Sequence, residues 1–385
     1  MNVLTVTTYN EAKEVYRHKD FRQALYDAGE VVMGDVIINL HGDEHRARRR
    51  LENRLFRRET LVHYERDLFP AVIAETIAPW LERGEAELVE LSHQVMMNLA
   101  ALNAGLDRPQ RTNDETERLY AFMMKFVEGA TLAHTTRDPA VVTQEITEAK
   151  EQFDDEFLGP SIERRLALIR QDDGSGDQLP KDVLTVLLRN EDALHLPREV
   201  ILREIAFFLL AGAHTSATAF VRTLDHLFAW FKDHPADVAR AGRDKKFVQS
   251  AVYETIRLYP SSPVAMRRAT QDLQLKSGVM VRAGETVTID LMSVNRDPSV
   301  FGTDAALFNP LRVPLESNID GWGLSFGHGM HACIGQELAA GHVVQSVENP
   351  EFEYGLVSVA VQAMLDHGAV FDPARLPKMD AATKR

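Results

Sequence analysis

The stretch Phe326-Gly327-His328-Gly329-Met330-His331-Ala332-Cys333-Ile334-Gly335 gathers the side chains best suited to chemistry. Cys333 is the sole cysteine among 385 residues, so no intrachain disulfide can form. Three readings of it compete. A lone cysteine is most often a small buried hydrophobe. His328, His331 and Cys333 are zinc-type donors, but they are crowded compared with sites whose ligand pairs are separated by a long loop. The third reading is a thiolate ligand to haem iron. Three glycines in ten residues let the backbone turn tightly and lie close to a flat group, with aromatic Phe326 beside the sulfur. The cysteine also stands at the start of a predicted helix over residues 334–342. Free N–H groups and positive potential at a helix N-terminus favour a thiolate.

Other clusters could do chemistry or merely hold structure. Glu254 and Arg257 stand three apart on a predicted helix, where they share a face and can pair. Alone, such a pair is an ordinary surface ion pair worth little. Ala211, Gly212 and Thr215 also share one helix face, although Gly inside a helix costs about 1 kcal/mol. They suit a close helix contact or a ligand lying against the backbone. His45 and Arg49 are four apart and face the same way. From Arg46 to Arg58 the chain holds seven Arg and one Glu. Gly323-Leu324-Ser325-Phe326-Gly327 reads literally as the nucleophile elbow of a serine hydrolase. That elbow needs a strand before Ser325 and a helix directly after it, with an acid and a His further on. Irregular chain precedes Ser325, more glycine loop follows, and Asp366 and His367 are adjacent, which suits no triad.

Phe-x-x-Gly-x-His-x-Cys-x-Gly resembles the haem-binding signature of the cytochrome P450 family, the haem-thiolate monooxygenases. Phe326, Gly329, His331, Cys333 and Gly335 occupy all five specified positions. The resemblance implies haem b with Cys333 on the iron, a ligation known for that family to favour O–O cleavage. It implies that Phe326, Gly327, Gly329 and Gly335 shape the loop beneath the haem. It places His45, Arg49, Arg267 and His331 on the propionates, with Arg268 the second choice to Arg267. The family has an Asp four residues before the first of these, where this chain has His41. Glu254, Arg257 and Arg312, the last in Phe308-Asn309-Pro310-Leu311-Arg312, are expected to form a buried structural triad. Ala211, Gly212 and Thr215 resemble the oxygen-binding groove, whose Thr helps deliver protons. His214 replaces the family's usual acid; an imidazole there can shuttle protons or stay silent.

The resemblance further implies a reaction. One oxygen atom of dioxygen enters a small lipophilic substrate by hydroxylation, demethylation or epoxidation, and the other becomes water. No Gly-x-Gly-x-x-Gly fingerprint opens a strand–helix unit, so no nicotinamide domain is expected in the chain. Electrons would come from a ferredoxin and its reductase, docking near the arginines from 46 to 58, where opposite charge steers encounter. A peroxide-driven peroxygenase is the alternative, and a haem protein without substrate oxidation is a further one. Residues 25–40, 122–158, 207–214 and 262–266 are expected to line the pocket. They are largely apolar and leave the substrate's identity open.

These groups must be held by a sizeable scaffold. The chain is 45% apolar and 26% charged, a globular composition. Its net charge of −14 argues against nucleic-acid binding. The start lacks a basic segment followed by a long apolar run, so no signal peptide is expected. The longest apolar run, 205–213, falls short of the ~20 residues of a bilayer span. A cytoplasmic protein without a membrane partner is expected. No repeat of 20–50 residues is visible. The patterns predict a strand over 3–7 and a helix capped by Asn10. Mostly helix follows over 45–154, then a loop over 171–180. Pro197 opens a long helix reaching Lys232, and another helix covers 245–259. Period-two alternation over 273–291, broken at Ser277-Gly278 and Ala283-Gly284, predicts hairpin strands. The chain then turns irregular over 298–323, and the last helix follows Cys333. The fold class is α+β, mostly helical, with residues 1–385 as a single large domain and a small β region. Against the family, no helix precedes the first strand, and the closing β segment is not evident beyond Pro377.

Overall fold

The computed structural model describes residues 4–342 and 353–375. The first strand, β1 (Leu4–Val6), leads into α1 (Tyr9–Arg17). Thr8, not Asn10, is the N-cap, and its side chain makes no capping bond. The Tyr9 N–H donates instead to Asp297 Oδ2 at 3.1 Å, so a carboxylate 288 residues away caps this helix. Local sequence could not show that.

Strand β2 (Phe21–Gln23), the single turn α2 (Glu30–Met33) and α3 (Gly42–Glu52) follow. Next come α4 (Phe69–Arg83), α5 (Leu88–Ala104), α6 (Asn113–Ala130), α7 (Pro139–Phe153) and α8 (Gly159–Gln171). The loop expected over 171–180 separates α8 from α9 (Val183–Arg189), whose Asp182 side chain caps Thr185 N–H at 2.7 Å.

The longest helix, α10 (Arg198–Asp233), begins one residue after Pro197, which is its extended N-cap. Length and composition alone would let α10 cross a membrane, but more than half of its most apolar window is buried inside the protein. It lies against α5, with Gly212 so close to Ala100 that an added Cβ would rest 3.4 Å from the alanine methyl. One apolar core gathers around α10 from α2, α5, α6, α7 and α9, including Phe126, Phe153 and Leu209. A second lies between α4, α5, α10 and α11 (Lys245–Leu258), including Phe69, Phe220 and Phe247.

The β region differs from the expected hairpin. β3 (Val264–Ala269) is a strand where none was expected, and it pairs antiparallel with both β2 and β6 (Thr286–Asp290). β1 joins β6 in parallel, giving the order β1–β6–β3–β2. Only β4 (Leu273–Gln274) and β5 (Met280–Val281) form the small ladder around Ser277-Gly278. β6 leaves that ladder because Val287 and Ile289 bury one face into the third core, beside Val6 and Leu291.

Two further departures follow Cys333. The helix there, α12, runs only over Gln336–Ala340, and a second helix, α13 (Leu356–Asp366), was not foreseen. Between them the chain leaves at Gly341 (φ 77°) and returns at Gly355 (φ 87°). The two glycines touch: a Cβ on Gly355 would lie 2.3 Å from the Gly341 nitrogen. Gln249 of α11 closes the neck, its Nε2 donating to the Ala340, Tyr354 and His342 carbonyls at 2.9, 3.2 and 3.4 Å. Glu65 accepts from the Tyr354 and Gly355 N–H groups at 2.9 Å. Gly355→Ala meets both a forbidden backbone region and a backbone clash, so it is expected to destabilise by about 3 kcal/mol. Urea unfolding checks this; a loss under about 1 kcal/mol would contradict the tight neck.

Candidate active site

The segment leading to Cys333 is held from below by α11. Arg257 is fully buried and donates to both Glu254 oxygens at 2.7 Å and to the Asn295 and Ala305 carbonyls at 2.6 and 2.7 Å. Arg312 reaches the same Glu254 Oε1 at 2.9 Å. Asn295 then turns its side chain to the loop: Oδ1 accepts from Leu324 N–H at 2.8 Å and Nδ2 donates to Ser325 Oγ at 2.7 Å. Gly323 (φ 64°) admits this, since a Cβ there would lie 2.4 Å from Asn295 Oδ1.

The loop itself turns at Gly327 (φ 69°) and Gly329 (φ 75°), and Cys333 N–H closes it by donating to Phe326 O at 2.7 Å. Gly329 presses on the neighbouring α1, where a Cβ would sit 2.8 Å from the Tyr16 carbonyl oxygen. Phe326 stacks edge-on against Trp322, with centroids 5.4 Å apart. Protein surrounds Cys333 on all sides, yet the residue is accessible to water. That combination places it on the wall of an internal cleft. Burial pushes its thiol pKa up, opposed by the Gly335 N–H and the Arg49 charge. The expected helix start at residue 334 is displaced: Gly335 is the N-cap, so a single aimed N–H rather than a long helix faces the sulfur. Among the described residues, no three His, Cys, Asp or Glu side chains form a metal-holding group.

Above this loop lies a cluster of nitrogen donors. His45 and His331 rings are 4.3 Å apart, and His41 stacks on the other side of His331 at 6.3 Å. Arg49 donates to the Ala332 carbonyl at 2.8 Å. Arg267 is buried in β3, its guanidinium over the Tyr16 ring at 4.9 Å. Strand alternation turns Arg268 to the other face, where it pairs with Asp27 at 2.9 Å. His45 Nδ1, His331 Nε2 and His41 Nδ1 are all buried without a hydrogen-bond partner. Burial, then Arg49 and His41, pulls the His45 pKa down to about 4. Burial, then His45, Arg267, His41 and Arg49, pulls His331 down to about 3. No carboxylate is among these influences. An interior cluster of arginines and unpartnered ring nitrogens fits a flat group carrying two carboxylates, as haem b does.

The face of α10 expected to border the cleft is open. Thr215 is exposed near the midpoint of the longest helix, and Ala211, Gly212 and His214 are half-buried, while Ala213 and Ser216 are buried. Thr215 Oγ1 donates to the Ala211 carbonyl at 2.6 Å, which leaves its lone pairs turned outward. Ser325 has no elbow setting. It sits in irregular chain on both sides, and its hydroxyl is used by Asn295 and by Ile256 O at 2.8 Å.

The arginine run is not one solvated face. Arg48 is buried and pairs with the fully buried Glu204 of α10 at 2.6 Å, while Glu204 also accepts from Ile37 N–H at 3.1 Å. Glu52 is buried beside them with both oxygens unpartnered; burial and the Glu204 charge push its pKa well up. Arg46, Arg50, Arg54, Arg57 and Arg58 remain exposed. Sequence reading missed Asn295, Tyr16 and Glu204. A buried Asn in a loop and a carboxylate on an apolar helix carry no spacing signal, although Glu204 amid Ile and Phe was a visible anomaly.

A cytochrome P450 family model matches residues 243–344. Pulcherriminic acid synthase of Bacillus subtilis (strain 168) is 25% identical over 347 residues, 88% of this chain and 79% of that one. Cytochrome P450 105C1 of a Streptomyces species is 33% identical over 198 residues, 51% of this chain and 45% of that one. The crystal structure of CYP109E1 from Bacillus megaterium with testosterone superposes with a TM-score of 0.72 at 20% identity, covering 99% of this chain and 90% of that one.

The buried pair beside the site is testable. Arg48→Leu strands Glu204 and is expected to cost about 3–5 kcal/mol in urea unfolding. Arg48→Leu with Glu204→Leu should recover most of that, because neither member of the pair is left alone and Glu52 also loses the Glu204 charge that opposes it. A single variant losing under about 1 kcal/mol would show that the pair is not desolvated.

Proposed function

The chain belongs to the cytochrome P450 family, and from that premise we propose that it oxidises a lipophilic small molecule, with electrons from a separate ferredoxin and its reductase. The whole of residues 1–385 would act as one catalytic domain. The observation that carries this reading is Cys333, accessible on an internal wall beneath two arginines and three imidazoles that keep unpartnered buried ring nitrogens. Haem b held there through Cys333 would supply dioxygen activation and transfer of one oxygen atom, the other leaving as water.

The chain's own residues set the conditions. His45, Arg49, Arg267 and His331 hold two carboxylates by charge and hydrogen bonding. Gly327 and Gly329 give the loop the left-handed turns that set it against Tyr16 of α1 and carry Cys333 into the cleft wall. Gly212 lets α10 pack closely on Ala100 of α5, and Thr215 Oγ1 can accept a hydrogen bond while giving its own proton to Ala211 O. His214, beside it, can take and release a proton where the family has a carboxyl group. Val31, Ile38, Phe208 and Leu210 line the neighbouring core with partly buried apolar surface, which favours a lipophilic occupant. The relative of similar fold from Bacillus megaterium was crystallised with testosterone, in keeping with that class.

The reduced, carbon-monoxide-bound absorption spectrum tests the ligation. The holoprotein should show the red-shifted Soret band of a thiolate ligand, and Cys333→Ala should lose it. A wild-type chain that takes up no haem would overturn the proposal. The exposed arginines test the electron route. Arg54→Glu with Arg57→Glu should raise KM for an acidic ferredoxin about tenfold at low salt, with the difference shrinking as salt rises. Turnover with hydrogen peroxide but none with ferredoxin would assign a peroxygenase instead.

A further inference from the structure

The geometry points to His41 as an additional holder of the haem carboxylates, a role that the family's Asp at this position does not play. The inference rests on the reading of Cys333 as the haem ligand. His41 is the N-cap of α3, with φ −138° and ψ 160°. Side-chain oxygens are favoured there because they accept from the free N–H groups of the first turn. An imidazole is a poor substitute, and the His41 side chain makes no capping bond. Asp43 and Glu44 in the first turn supply the negative charge that the helix end prefers. The helix has therefore given up its cap and kept its dipole partner.

The ring is turned elsewhere. It lies nearly parallel to His331, 18° between planes and 6.3 Å between centroids, and His331 in turn meets His45 at 4.3 Å. His41 Nδ1 is buried and unpartnered, as are His45 Nδ1 and His331 Nε2. Three imidazoles thus converge with Arg49 and Arg267, and none of the groups acting on His45 or His331 is a carboxylate. Buried donors left without acceptors are costly unless a ligand supplies them. Two carboxylates in this space would take the His41 N–H along with the others. An Asp in its place would cap α3 and repel those same carboxylates.

The cap and the donor predict opposite results for one substitution, which makes the test decisive. Holoproteins of the wild type, His41→Phe and His41→Asp are compared by the rate of haem transfer to excess apomyoglobin and by spectroelectrochemical reduction potential. His41→Phe keeps a ring against His331 and removes both nitrogens. It should release haem about tenfold faster, the effect of losing one hydrogen bond to a charged group, and show a lower potential. His41→Asp should release haem faster still and lie lowest in potential, because it adds a negative charge. A purely structural His41 would give the reverse, since Asp is the better cap and should retain haem at least as well as the wild type. Haem-loaded His41→Phe with the wild-type rate and potential overturns this inference alone. A wild-type chain that takes up no haem overturns it together with the reading of Cys333.

Discussion

One buried guanidinium organises the region around the cleft. Arg257 is fully buried in α11, a position that only complete pairing makes tolerable. Glu254 takes two of its N–H groups, and the Asn295 and Ala305 carbonyls take two more. Through those carbonyls Arg257 fixes two stretches of irregular chain that have no ladder of their own. Asn295 passes the constraint on to Leu324 and Ser325, one residue before the Phe326 carbonyl that receives Cys333 N–H. The sulfur's position is therefore set by a chain of hydrogen bonds starting in a helix, although its own loop is built from glycine.

Charge is distributed by the same logic. Where a cation is needed for structure, the protein provides an acid: Glu254 for Arg257 and Arg312, Glu204 for Arg48, Asp27 for Arg268. Beside Cys333 no carboxylate acts on His45 or His331, and burial with the neighbouring arginines pulls the pKa of both rings down. Leaving donors unsatisfied in the interior costs stability in the empty protein. That cost is recovered only when an anion arrives, so the same arrangement that weakens the apo state strengthens retention of a dicarboxylate.

Much of this was legible in the sequence because it is local. The spacing in Glu254-x-x-Arg257 puts both side chains on one face, and the glycines around Cys333 announce tight turns. The long helix after Pro197 shows its pattern over many turns. What stayed hidden is non-local. β3 has no clean alternation, since Arg267 and Arg268 both sit in it and each finds a different partner. α1 starts two residues early because Asp297 caps it from across the chain. The seven arginines between 46 and 58 look alike in sequence, yet burial separates Arg48, which holds α3 to α10, from Arg54 and Arg57, which face water.

The break after α12 shows how such hidden constraints act. Thirteen residues separate Gly341 from Gly355. Gln249 and Glu65 fasten the two ends, one from α11 and one from the turn before α4. Two left-handed glycines allow the backbones to touch, which lets α13 take up its packing on α11 and α4 as though α12 had continued. Glu353, two residues before Gly355, lies 3.5 Å from Arg58. That ion pair ties the end of the arginine run to the segment that enters α13.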